Sequence, residues 1–244
     1  MALLEAKGLT KTFGGLTAVE HLSFGLESGE ILGLIGPNGA GKTTLFNLVT
    51  GFYRPNAGTV FFKGEDITGL RPHQICNRGI ARTFQITQPF ANLTVLENVK
   101  IGAYGRTASS REATQEAQRI LDTVGLYEKQ NDIASSLPIG YRKMLELARA
   151  MATRPELILL DEVVAGLNPK ETDAIIDHIN RIQKQRITIF LIEHVMKAIM
   201  SLCNRIIVIH YGEKIAEGVP GKISKDPKVI EAYLGEEYII AKNQ

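Results

Sequence analysis

The sequence predicts an α/β fold carrying an extra helical lobe, and three observations predict it. Short apolar runs bounded by turn residues recur along the chain, as fully buried parallel strands do when helices cover both faces of a sheet. One of them, Glu30 to Gly36, runs into the glycine-rich stretch GPNGAGKTT and then into a helix-spaced segment. Between about Pro89 and Arg154 the spacing instead becomes helical throughout.

In chain order, EILGLIG reads as the strand before the loop, and TTLFNLVTGFY as a helix that stops near Pro55. TVFFKG, ELILLDE, ITIFLIEH and NRIIVIHYG read as further buried strands. In the helical part, NLTVLENVKIGAYG begins with a capping box of Thr94 and Glu97. REATQEAQRILDTVGL and YRKMLELARAMATR follow with 3.6-residue apolar spacing. Near the end, DPKVIEAYLG has Asp226 as N-cap, Pro227 at the first helical position and Gly235 as stop. The expected division is a single domain over 1–244, with an α/β core of 1–88 and 155–244. A helical lobe of 89–154 and a C-terminal helical tail of 222–244 complete it.

Composition narrows the function classes. The chain has 244 residues, 44% of them apolar, which suffices for a full-sized core. A net charge of +2 without a long Lys/Arg block gives no footprint for nucleic acid, so none is expected as partner. Cys76 and Cys203 lie outside any CxxC spacing and read as reduced, buried small hydrophobes of a cytosolic protein. The N-terminus MALLEAKGLTKTF does not read as a signal peptide. No apolar run approaches the ~20 residues that cross a bilayer. The chain therefore reads as soluble, and any membrane work falls to another subunit.

Gly36 and Gly41-Lys42-Thr43 fit GxxxxGK[ST]. The residues Gly36, Pro37, Asn38, Gly39, Ala40, Gly41, Lys42, Thr43 and Thr44 form the candidate phosphate cradle. Glycines let backbone N–H groups turn inward around phosphates, and the following helix N-terminus adds positive potential. Lys42 reaches the β- and γ-phosphates, and the Thr43 hydroxyl ligates Mg²⁺. LILLDE ends an apolar strand in two carboxylates. Asp161 is placed to hold the Mg²⁺ shell, and Glu162 to orient or deprotonate the attacking water. His194 closes ITIFLIEH, while His21, His73, His178 and His210 keep a structural reading. Gln85 in ARTFQ has no independent signal.

These segments, in this order and spacing, resemble the ATP-binding subunits of ABC transporters over essentially the whole chain. The signs are the P-loop, LPIGY followed by a helix, LILLDE, GLNP and LIEH. GIARTFQ, NLTVLENV, GLNPKET and DPKVIEAYLGE resemble the branched-chain amino acid uptake branch. The resemblance implies a P-loop NTPase core, with a mixed, mainly parallel sheet and an antiparallel β lobe, plus an inserted α-helical lobe. It implies ATP and Mg²⁺ as cofactors and ATP hydrolysis coupled to transport.

By the same resemblance, Gln85 is similar to the glutamine that touches Mg²⁺ or water and senses the membrane domain. His194 is similar to the histidine that contacts the γ-phosphate, and Phe13 to the aromatic that stacks on adenine. A core phenylalanine is the plainer alternative for Phe13. Asn168 falls in a loop that crosses to a partner, or acts as a helix N-cap with Pro169 and Glu171. The expected partners are a second ATPase subunit, in a homo- or heterodimer, and integral membrane permease subunits. A substrate-binding protein acts indirectly, and the expected place is the cytoplasmic face of the membrane, peripherally. A cytoplasmic helix of the permease is expected to dock on the stretch from Gln85 to Val99, with Phe90, Leu93, Val95, Leu96 and Val99.

The family pattern breaks at three positions. Pro138 stands where the signature serine would be, and it supplies neither hydroxyl nor N–H. Tyr141 replaces a polar Gln or Glu, and Val163 replaces a proline; Gly140 remains. Each P-loop in the family is completed by the other subunit's signature, so in a heterodimer this chain's P-loop faces an independent signature. Other readings are a low-turnover regulatory ATP-binding subunit, a lipopolysaccharide-export-type ATPase, or a nucleic-acid machine of the same ATPase class. The last would need a second ATPase unit or long coiled coils, for which the chain has no room.

Overall fold

A computed structural model describes residues 2–84 and 88–233. The chain forms two compact units, residues 1–72 with 190–244, and residues 73–189.

The first unit opens with strands β1 (Leu4–Phe13) and β2 (Leu16–Leu26), joined through Gly14, whose φ of 58° suits a tight hairpin. They pair antiparallel, with Leu4 opposite Leu26 and Phe13 opposite Leu16. Strand β3 (Ile31–Ile35) follows, every residue buried, and leads through the glycine loop to helix α1 (Lys42–Val49). Helix α1 ends well before Pro55, because Gly51 takes a φ of 74° and the Thr50 hydroxyl bonds back to the Phe46 carbonyl. Strands β4 (Ala57–Phe62) and β5 (Glu65–Asp66) complete an antiparallel sheet of order β2-β1-β4-β5.

Strand β4 therefore corrects the expectation for TVFFKG, which is antiparallel rather than parallel and only half buried. Val60 and Phe62 face inward, while Phe61 is covered from outside by Lys7, whose ammonium lies 5.1 Å from the ring centroid. An aliphatic lysine stem can shelter an outward aromatic in this way, so a continuous apolar run does not require two packed faces.

After helix α2 (Pro72–Asn77), the second unit contains strand β6 (Ile80–Arg82), helices α3 (Val95–Tyr104), α4 (Ser110–Thr123) and α5 (Ile139–Ala152), and strand β7 (Leu157–Asp161). Strands β6 and β7 pair parallel, Ile80 beside Leu157 and Arg82 beside Leu159. The capping box of Thr94 and Glu97 forms as expected: Thr94 accepts from the Glu97 N–H, and Glu97 accepts from the Thr94 N–H at 2.8 Å. Helix α6 (Pro169–Gln183) starts from a second capping box, Asn168 with Glu171.

Strand β8 (Thr188–Ile192) returns the chain to the first unit, where helix α7 (Met196–Leu202), strands β9 (Arg205–His210) and β10 (Glu213–Gly218), and helix α8 (Pro220–Ile223) follow. There β10, β9 and β3 are neighbours, with β10 antiparallel to β9 and β9 parallel to β3. The class is α/β, with mixed strands as well as the antiparallel sheet. Asp226 caps the last described helix, residues 227–233, by accepting from the Lys228 N–H at 2.9 Å. Gly235 and the end of the expected tail lie outside the described residues.

Candidate nucleotide site

Buried β3 delivers Gly36 to a position that only glycine fits, since a Cβ there would meet the Ile209 carbonyl oxygen at 2.1 Å. Gly41 caps helix α1 with a φ of 101° and no side-chain cap, and a Cβ on it would lie 2.2 Å from the Ala18 carbonyl oxygen. A helix start with no side-chain cap keeps its first N–H groups for an anion. Ala40 is buried, and its carbonyl accepts from the Gly212 N–H at 3.1 Å, which ties the loop to the turn between β9 and β10. Pro37 is buried, whereas Asn38, Gly39 and Thr43 are exposed and Thr44 is half-buried.

The Lys42 ammonium folds back over the loop and donates to the carbonyls of Gly36 at 2.6 Å and Pro37 at 2.7 Å. These carbonyls hold the ammonium over the loop, and a lysine ammonium in such a loop can donate to phosphate oxygens.

The same unit holds Phe13 and His194. Phe13 ends β1 at the hairpin tip and is 42% exposed, so it is not the core phenylalanine of the plainer reading. Tyr53 meets its ring edge-on at 5.2 Å between centroids, and the Lys11 ammonium lies 5.1 Å from it. That rigid, partly open ring can stack on a flat heterocycle. His194 is exposed just after β8, and its N–H donates to the buried Glu193 carboxylate at 3.3 Å. Burial, with the Glu193 charge as second cause, pushes the Cys203 thiol up to about 12. It is an inert buried thiol, as expected, while Cys76 is only half-buried.

In the second unit, β7 is buried along its whole length and ends at Asp161. The Arg82 guanidinium donates to Asp161 Oδ2 at 2.9 Å, and the Asp161 N–H donates to the Thr83 hydroxyl at 3.2 Å. Glu162, next in the chain, is half-buried and has a φ of 52°. Its carbonyl accepts from the Lys143 ammonium at 2.8 Å.

Pro138 is the N-cap of α5 and offers no side-chain cap, so the helix begins at Ile139 and Gly140 lies within its first turn. Pro138 and Tyr141 are exposed, and the Lys129 ammonium sits 5.0 Å from the Tyr141 ring centroid. Asn168 is exposed and takes the N-cap role on α6. Gln85 lies outside the described residues. Of the expected docking stretch, Val95 and Val99 are buried within the helices, so they are not available to a partner. Phe90 is exposed, with the Arg149 guanidinium 4.8 Å from its ring.

Arg82 and Lys143 had no role in the sequence reading. Both bonds link residues distant along the chain, and no local pattern marks such pairs.

A hydroxyl such as that of Thr43 and a carboxylate such as that of Asp161 are each hard oxygen donors of the kind that suits Mg²⁺, which binds few protein ligands and keeps phosphate and water. No cluster of three or more His, Cys, Asp or Glu that could hold a metal occurs among the described residues.

Residues 19–165 match the family model described as ABC transporter. The chain belongs to that family. Residues 213–239 also match the model described as branched-chain amino acid ATP-binding cassette transporter. The chain is 43% identical to the high-affinity branched-chain amino acid transport ATP-binding protein BraF of Pseudomonas aeruginosa, covering 96% of this chain and 98% of that protein. It is 44% identical to LivG of Escherichia coli K12, which has the same description, at the same coverage. Among solved structures, the ADP conformation of an ATP-binding cassette of an ABC transporter aligns with a TM-score of 0.88 at 33% identity, over 96% of this chain and 99% of that one. As a member of this family, the chain is a nucleotide-binding ATPase. No helix among its described residues is long and apolar enough to cross a membrane.

Proposed function

We propose that this chain is the ATP-hydrolysing subunit of an importer for branched-chain or other hydrophobic amino acids. The observation that carries this reading is the match of residues 213–239 to a model particular to the branched-chain systems. Near-complete coverage of BraF and LivG at 43–44% identity supports it.

In this reading Lys42 exchanges the Gly36 and Pro37 carbonyls for the β- and γ-phosphates, and the loop from Gly36 to Thr44 donates backbone N–H groups to them. Phe13 stacks on the adenine. Thr43, Asp161 and Gln85 are the residues that would hold Mg²⁺, which neutralises charge on the transferring phosphate when bound. Glu162 takes a proton from the attacking water or orients it, and His194 contacts the γ-phosphate. Pro138, Gly140, Tyr141 and Asn168 face a second ATPase subunit. The chain works at the cytoplasmic face of the membrane, held there by permease subunits and served by a substrate-binding protein.

Reconstitution with the cognate membrane subunits and binding protein tests the reading. Leucine, isoleucine or valine uptake that requires ATP is the expected result. Hydrolysis without amino-acid uptake would overturn the cargo. Normal uptake with negligible hydrolysis at this chain's own P-loop would favour the regulatory reading that Pro138 and Tyr141 motivate.

A further inference from the structure

Lys143 lies in the second turn of α5 and is only 8% exposed, so its amino group is largely withdrawn from water. Burying an ammonium is costly unless strong acceptors meet it. One acceptor is the main-chain carbonyl of Glu162, at 2.8 Å. That carbonyl opens the turn after β7 and also accepts from the Ala165 N–H at 3.3 Å. Glu162 itself holds a φ of 52°, a region that residues other than glycine seldom occupy. Such a backbone persists only where its surroundings over-determine it. The charge-assisted bond from Lys143 is a direct constraint of that kind.

We propose that Lys143 is a positioning residue for hydrolysis: it clamps the Glu162 carbonyl and so fixes the backbone from which the Glu162 carboxylate projects. This rests on the reading of Glu162 as the catalytic carboxylate. Lys143 also follows Pro138 by five residues on the helix behind LPIGY. The clamp therefore joins the signature helix to the carboxylate that acts at the chain's own nucleotide.

Single-turnover ATP hydrolysis and ATP affinity, measured on the full chain, test the proposal with Lys143→Met, Lys143→Arg, Glu162→Gln and the Lys143→Met/Glu162→Gln double variant. Lys143→Met should slow the chemical step by about tenfold to a hundredfold, the scale of one hydrogen bond to a charged group, while ATP affinity stays unchanged. Lys143→Arg, which keeps a charged donor, should recover most of the rate. In the double variant the Lys143 change should add nothing to the loss caused by Glu162→Gln, because Lys143 acts only through Glu162. Should Lys143→Met not fold, Lys143→Gln, with a neutral donor of shorter reach, takes its place in the same comparison.

A Lys143→Met rate equal to wild type, or losses that multiply in the double variant, would overturn the clamp while leaving Glu162 its role. A Glu162→Gln variant that hydrolyses normally would instead remove the catalytic reading, and the clamp with it.

Discussion

The guanidinium of Arg82 and the carboxylate of Asp161 form an ion pair at 2.9 Å, with side chains 6% and 2% exposed. It joins the ends of two parallel strands, β6 and β7. A pair this deep repays its desolvation only while both partners remain, so removing one leaves an unmatched buried charge.

Arg82→Met should therefore destabilise the chain by about 3–5 kcal/mol, read from chemical denaturation. Adding Asp161→Leu should restore much of that stability, since both charges are then gone. ATP hydrolysis should not return, because Asp161 is also the proposed Mg²⁺ ligand. A single variant as stable as wild type would show that the pair contributes nothing to the fold.

Gly36 tests the cradle. Its missing side chain faces the Ile209 carbonyl oxygen, and a Cβ would approach that oxygen to 2.1 Å. Backbone cannot yield cheaply at that distance, so Gly36→Ala should displace the loop and weaken ATP binding by more than tenfold, about 1.4 kcal/mol or more. Nucleotide titration reads the effect directly. Unchanged affinity would mean that the cradle does not depend on this approach.

How much of this could be read from the sequence differs from residue to residue. Thr94 with Glu97, and Asn168 with Glu171, are local patterns, and both form the capping boxes that their spacing specifies. The strand into the P-loop was legible because five consecutive buried residues leave no other reading once a glycine loop follows. TVFFKG was misread because its apolar run hides an outward Phe61, which is sheltered by Lys7 from the neighbouring strand. The contacts around the carboxylates were beyond reach for a different reason. Arg82 and Asp161 are 79 positions apart, and Lys143 and Glu162 are 19 apart, so only the fold brings them together.

His178 supplies a pH dependence. It is half-buried on α6, and its Nδ1 lies 3.2 Å from the Thr123 carbonyl. Burial, chiefly, lowers its pKa from the ordinary value; the Thr123 carbonyl and Asp177 oppose that, while Arg181 reinforces it. The folded state thus binds its proton less readily than the unfolded state. Stability from this site is present above the ordinary histidine value of about 6.5 and is lost as pH falls through it toward the lowered one. His178→Gln cannot titrate, so its denaturation midpoint should fall less than wild type between about pH 7.5 and about pH 5.5. Equal losses would mean that His178 does not carry this dependence.

The central claim is that this chain hydrolyses ATP and that Glu162 is its proposed catalytic base. The most direct measurement is ATP binding and turnover by Glu162→Gln in the assembled transporter. The substitution keeps shape and hydrogen bonding but removes the base. ATP should remain bound at wild-type affinity while turnover falls by about 10²–10⁴-fold. Turnover near the wild-type rate would contradict the account.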